Sequence, residues 1–327
     1  MADTKIAPTK SQIAKAEKGN SLWSDAFRRL RKNKLAMFGG IVIILILALC
    51  FLGPTILSWF DKFEPYTPDF QDKFSKPGEG GVFGKDQLGR DLFARVLEGG
   101  QISLTVAILA TLITVTVGVI YGGISGYVGK FTDTVMMRIV DGLLAMPFLI
   151  IVILFRELIT EKVTSAASFL VDKTFLSADI VSRFANLLPL ILAIAAFGWL
   201  TMARIVRTSA ASLAKQEFVE AARSLGLSHT RILFRHILPN MLGPVIIYAT
   251  LTIPSFILYE ATLSFIGLGI QPPYASWGIL IKEGAFFLET HFLVLLFPAI
   301  LFSLTLFSFN FLGDGLRDAL DPKSSKD

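Results

Sequence analysis

AMFGGIVIILILALCFLGPTILS, residues 36–58, runs for 23 positions without a charged side chain. A helix needs about 20 predominantly apolar residues to cross the hydrocarbon of a bilayer, because each residue rises about 1.5 Å and every backbone polar group must be satisfied within the helix. The stretch therefore reads as a membrane-spanning helix. Five more qualify, at residues 102–124, 134–155, 187–203, 241–269 and 292–313, and the third of these carries Arg138 and Asp141 near one end and Pro147 inside. The expected fold is all-α: a polytopic membrane protein with six transmembrane helices. Composition agrees, since the 327 residues are 53% hydrophobic and only 17% charged, where a soluble domain carries about 25% charged residues. The same figures exclude a disordered or collagen-like chain. The single cysteine, Cys50, lies in the first span, so no intrachain disulfide or cysteine metal cluster forms, and its role is packing filler or a lipid contact.

Lysine and arginine set the expected orientation. With the N-terminus inside, the inner segments hold 20 of the 31 Lys and Arg residues. The cluster Arg28, Arg29, Arg31, Lys32 and Lys34 pins that end in the cytoplasm. Both termini then come out cytoplasmic. The chain divides into an N-terminal tail (1–35) with a basic amphipathic helix at the membrane surface, a first span and outer loop (36–101), a core of five spans (102–313), and a C-terminal tail (314–327). Residues 156–186 form a long outer segment.

Several chemistries are excluded. The nearest string to a phosphate-binding loop, Gly84-Lys85, is followed by Asp86 and has Glu79 where the first glycine belongs, so this chain does not hydrolyse ATP itself. His229, His236 and His291 are not in an HExxH arrangement, no nucleophile and base set is visible, and no metal site is expected. Nothing points to nucleic acid.

The most informative stretch outside the spans is LAKQEFVEAARSLGLSHTRILFRHILPN, within a loop of about residues 207–240. Phe218, Ala221, Ala222 and Leu225 recur at helical spacing on one face of a short helix. Gly226 stands where a helix end needs a residue free to take positive φ, and Ser228 can cap a second helix before Pro239. This helix, turn and helix is amphipathic yet outside the membrane. It either packs on the chain's own helix ends or docks a separate soluble protein.

Ionisable groups inside spans are costly and point to a cavity or a partner. Arg138 and Asp141 stand three residues apart and can pair. Glu260, with Ser255 and Ser264 on its side of the fifth span, either lines a pathway or makes a buried hydrogen bond. The loop around Asp86, Gly89, Arg90, Asp91 and Arg95 either contacts a partner or is satisfied by its own salt bridges.

The spacing Glu220-Ala221-Ala222, Gly226 and Leu238-Pro239 resembles the EAA loop of membrane subunits of binding-protein-dependent ABC importers, with His236 where the family pattern has Ile. The strings GKDQLGRDLFARVLEGGQISL (84–104), GYVGKFTDTVMMRIVDGLLAMP (126–147), LSFIGLGIQPPYASWG (263–278) and GDGLRDALDPK (313–323) are similar to the peptide and nickel permease branch. With SLWSDAFRRLRKNK before the first span, the likeness is greatest to the C-subunit family of oligopeptide permeases, and it covers roughly residues 20–323. The resemblance implies a type I ABC importer permease fold in a bacterial plasma (inner) membrane. It implies a homologous B-type permease, one or two ABC ATPase subunits that bind ATP and Mg, and an extracytoplasmic peptide-binding protein. Residues 216–225 would then be the coupling helix seated on an ATPase, through Phe218, Glu220, Ala221, Ala222, Leu225 and Gly226. The cargo would be oligopeptides, with dipeptides, glutathione or nickel chelates as alternatives. An ion-coupled secondary transporter is the reading from a different class.

Overall fold

The computed structural model describes residues 22–60, 63–173 and 178–320. The first 21 residues of the N-terminal tail and the last seven of the C-terminal tail lie outside them. Among the described residues there is no strand, only an isolated antiparallel bridge between Lys85 and Asp91. A surface helix, α1 (Leu22–Lys32), leads through the Asn33 cap into α2 (Lys34–Ser58). Then follow α3 (Leu92–Val128), α4 (Lys130–Leu144), α5 (Phe148–Lys173) and α6 (Ala178–Leu213). The short α7 (Glu217–Ser224) and α8 (His229–Ile232) precede a wide π-type turn, Leu233–Ile237, and α9 (Leu242–Phe265), α10 (Trp277–Ala285) and α11 (Phe292–Leu320) complete the chain.

Five of these helices, α2, α3, α6, α9 and α11, are long and apolar enough to span a membrane, and there are up to six such spans when α4 and α5, a pair bent by 92° at a short break, count as one. The expected third span is thus not one straight helix. Pro147 explains the break: it lacks an N–H, and its ring disfavours the helical conformation at Met146. Most of residues 156–186 is helical, because α5 runs on to Lys173 and α6, packed beside it, begins at Ala178.

In lipid, helices associate through close packing rather than water exclusion, so small residues mark the contacts. On α3, Gly118, Gly122 and Gly126 form such a stripe, and a Cβ at any of them would overlap Met202, Ala203 or Arg207 of α6. This is the most extensive helix pair in the molecule. Gly122→Leu is expected to destabilise the chain by about 1–3 kcal/mol or more through overpacking. A thermal unfolding scan in detergent checks this; an unchanged midpoint would show that the two helices can separate without cost.

Burial on α2 falls on Ala36, Gly39, Ile43, Ile46 and Cys50, one stripe, while Phe38, Ile41, Ile44, Leu45 and Leu52 are exposed in the manner of a lipid-facing surface. Cys50 is fully buried, its sulfur against Gly100, which makes it packing filler. Between α2 and α3, residues 63–91 fold as a cap. Phe74 stacks on His291 with ring centroids 3.8 Å apart, and Phe83 stacks on Phe297 at 4.0 Å. Lys85 bonds both Asp69 (3.0 Å) and Asp72 (2.9 Å). The Lys85 hydrogen bond holds the Asp69 carboxyl below its usual range, and the bonds from Asp72 and Asp69 raise Lys85 in turn.

Candidate functional site

The segment between α6 and α9 packs as a unit. Val219 and Ala222 of α7, Ile232, Leu233 and Ile237 beyond it, Met202, Val206 and Ala210 of α6, Tyr127 of α3, and Met241 and Val245 share one core separate from the main one. The first reading of this segment, packing on the chain's own helix ends, holds for one of its faces. Val219 and Ala222 are turned into the chain, at 0% and 4% exposure, whereas Phe218 and Leu225 are 40% and 81% exposed and Glu220, Ala221 and Gly226 are exposed with them. For Ala222 the expected close approach to a partner is corrected: its side chain packs on its own chain.

Local chemistry fixes α7. Glu217 and Glu220 lie in its first turn and Arg223 in its last, complementing the helix dipole. At the other end Gly226 donates to Arg223 O (2.9 Å) and Leu227 to Ala222 O (3.2 Å), and Gly226 has φ +75°. That bond pair with a left-handed residue is a Schellman ending, which glycine adopts without steric cost. Ser228 then caps α8 by accepting the Arg231 N–H at 3.4 Å. Tyr127, at the end of α3, joins both helices. Its hydroxyl lies 2.8 Å from His229 Nδ1, and the Arg223 guanidinium sits 5.4 Å from its ring centroid.

Helix α6, which leads into this segment, is strapped to α4 by charge. Arg207 forks onto both carboxylate oxygens of Asp133, with Nε at 2.7 Å, and Ser125 donates to the same carboxylate at 2.7 Å. Two turns along α4, Asp141 pairs with Arg204 at 2.5 Å. Asp141 therefore takes its partner from α6, and the expected pairing with Arg138 is replaced. Helix α4 buries only Val140, and Phe131, Val135 and Ile139 are exposed. Its attachment is mostly polar.

Of the two readings of Glu260, the structure shows the buried hydrogen bond. Glu260 is fully buried, accepting from Ser103 (2.8 Å) and Ser264 (2.6 Å), and Ser264 is 2% exposed. Ser264 also lies 3.2 Å from Ser276, and Ser103 accepts the Trp277 N–H at 3.2 Å. Glu260 and Ser264 are thus a buried knot joining α3, α9 and the start of α10, not pathway lining; Ser255 remains half-buried. Glu260→Leu, which strands the two serine hydroxyls, is expected to cost about 1–3 kcal/mol for each buried group left unsatisfied, and Glu260→Gln much less. Comparing their thermal midpoints checks the knot; equal midpoints would count against it.

The charged loop is paired within the chain, with Arg95 Nε left as a buried donor that has no hydrogen-bond partner among the described residues. Arg95 Nη1 reaches Asp86 at 2.6 Å and Glu283 at 2.7 Å, and Arg90 Nε reaches Asp86 at 2.8 Å. Of the histidines, His229 and His291 are held by aromatic neighbours. No group of three or more His, Cys, Asp or Glu residues arranged to hold a metal occurs among the described residues.

Residues 118–326 match the family model described as binding-protein-dependent transport system inner membrane component. The chain belongs to this family. Residues 21–77 also match the N-terminal TM domain of oligopeptide transport permease C. The oligopeptide transport system permease protein OppC of Haemophilus influenzae is 43% identical over 93% of this chain and 90% of its own length. OppC of Escherichia coli is 44% identical over 93% and 92%. The dipeptide transport system permease protein DppC of Bacillus subtilis is 39% identical over 93% and 86%. As a member of this family the chain is a multi-pass inner-membrane permease subunit and not an ATPase.

Sequence reasoning found the turn at Gly226 and the exposed Phe218 and Leu225. It missed Val219, whose three-residue spacing from Ala222 was a usable signal, and the exposed Phe234 in the π-type turn. The Asp133–Arg207 strap joins residues 74 positions apart, and no local pattern announces it.

Proposed function

We propose that this chain forms half of the translocation pathway of an ATP-driven importer of oligopeptides and couples that pathway to separate ATPase subunits. The carrying observation is α7, a short helix fixed to its own chain by Val219 and Ala222 while Phe218, Glu220, Ala221 and Leu225 face outward. A rigidly mounted helix with an uncovered apolar face transmits a rigid-body movement of whatever grips it. Both termini and the α7 segment lie on the cytoplasmic side in this reading, where the ATPases bind ATP and its Mg²⁺. A homologous permease supplies the other half of the pathway, and an extracytoplasmic binding protein delivers the peptide. The names of the OppC relatives support oligopeptide cargo, and the DppC relative supports dipeptides as a second reading. Residues 216–225 serve as the coupling helix, with Glu220 toward a basic or amide group of the ATPase.

The test is co-purification. Phe218→Asp with Leu225→Asp is expected to lower ATPase recovered with the tagged chain by about tenfold or more, as loss of central apolar anchors does, while recovery of the second permease is unchanged. Gly226→Pro, which cannot take φ +75° and removes the N–H bonded to Arg223, is expected to reduce uptake at normal membrane levels. Full ATPase recovery with both aspartates in place would contradict the coupling role.

A further inference from the structure

Arg156 of α5 is 9% exposed, and its guanidinium has weak local compensation. It donates to Gly269 O at 3.3 Å and meets Glu157 at 3.3 Å, and the Glu157 side chain is itself 72% exposed. A guanidinium carries five N–H donors, and among the described residues these two bonds use two of them. Arg156 borders a cavity of about 390 Å³ built by α5, α6 and the segment before α10, within the size range of about 300–1,000 Å³ usual for ligand pockets.

The lining has a direction. Arg156 stands at one end of an α5 face that continues through Thr160, Thr164 and Ser168, a length of about 18 Å at 1.5 Å per residue. Thr160 and Thr164 spend their hydroxyl protons on Arg156 O (2.8 Å) and Thr160 O (2.9 Å), which leaves oxygen lone pairs as acceptors. Asn186 and Gln271 each use one amide N–H, on Ser182 O (3.0 Å) and Gly269 O (3.2 Å), and each keeps its carbonyl oxygen as an acceptor beside its second N–H. The cavity therefore offers a cation at one end, followed by a row of acceptor oxygens. The C-terminal end of a peptide offers the complement: a carboxylate, preceded by main-chain N–H groups.

We propose that the Arg156 cavity is a subsite for the C-terminal carboxylate of the transported peptide, with Thr160, Thr164, Asn186 and Gln271 receiving the main-chain N–H groups that precede it. This rests on the importer reading above. An anionic lipid headgroup would also suit Arg156, but it offers no run of N–H donors to the acceptors.

The test uses the whole complex, with its second permease, ATPases and binding protein, in vesicles, and a tetra-alanine peptide whose residue next to the free C-terminus is photoreactive. Irradiation during transport is expected to label fragments of this chain from 156–168 or 181–189. Arg156→Gln is expected to cut that labelling by about tenfold or more, the usual effect of losing hydrogen bonds to a charged group, and Arg156→Lys to cut it less. Should Arg156→Gln lower the amount of complex, Thr160→Val with Asn186→Leu keeps the Gly269 tie and is expected to reduce labelling also. Labelling elsewhere only, labelling unchanged in these variants, or labelling removed by added phosphatidylglycerol overturns the subsite. Uptake without cavity labelling sinks the subsite alone, whereas no ATP-driven uptake by the wild type sinks the importer reading.

Discussion

Asp133→Arg is expected to reduce ATP-driven uptake by about tenfold or more while the chain still reaches the membrane, and Arg207→Asp added to it is expected to restore a substantial part. The expectation follows from how α4 is held. One buried side chain, Val140, gives it little packing, and the polar ties are the Arg207 fork, the Ser125 hydroxyl, the Arg204–Asp141 pair and a hydrogen bond from Tyr121 to Met136 O at 2.9 Å. Exposed ion pairs contribute about 0–1 kcal/mol. The Asp133 carboxylate is only 16% exposed, however, and is gripped by a planar fork as well as a hydroxyl. Reversing its charge sets two arginines against each other. Coupling between such neighbours is about 0.5–3 kcal/mol, and 1.4 kcal/mol is a factor of ten. The functional weight comes from position, because α6 runs directly into α7 and α4 leads into the break at Pro147. Under the coupling role proposed for α7, a pull on it is expected to reach the broken span through these pairs. Uptake no better in the double variant than in Asp133→Arg would show that the pair is not the link.

Arg95→Leu is expected to cost about 3–5 kcal/mol, the usual result of breaking a buried ion pair from one side. Arg95 is 2% exposed, and one of its nitrogens serves both Asp86 and Glu283. Asp86 also accepts the backbone N–H groups of Leu88 (2.8 Å) and Arg90 (3.0 Å), so its carboxylate organises the cap as well as the pairing. Without Arg95, only Arg90 remains to balance Asp86 and Glu283, and it reaches Glu283 at 3.6 Å. Lysine at position 95 is expected to recover part of the loss, as a point charge without the fork. Thermal unfolding of the purified protein measures both variants. A shift in the leucine variant corresponding to less than about 1 kcal/mol would mean that the cap stands without this charge.

The spans were legible because a long apolar run has few alternatives in lipid. Their ends were not. Helix α3 begins at Leu92, ten residues before the apolar run, because Arg95 and Glu98 are buried there with partners that lie far away in sequence. Pro147 stood in view inside the third apolar run, but the break and its 92° turn depend on how α4 and α5 each find α6. At the site, Gly226 was readable, since a helix that must turn sharply calls for a left-handed residue. Glu260 left two fates open from sequence alone, and Ser103, 157 residues away, decides for the buried knot. The face of α7 was half read: spacing grouped Phe218, Ala221, Ala222 and Leu225, but Val219 pulls Ala222 inward and leaves the other three outside.

The central claim is that this chain works as the permease half of an ATP-driven importer. The most direct measurement is mass spectrometry of the complex recovered through a tag on this chain in mild detergent. The account predicts a second, homologous permease together with one or two ABC ATPases. Recovery of the chain alone, or as a homo-oligomer without an ATPase, would contradict it.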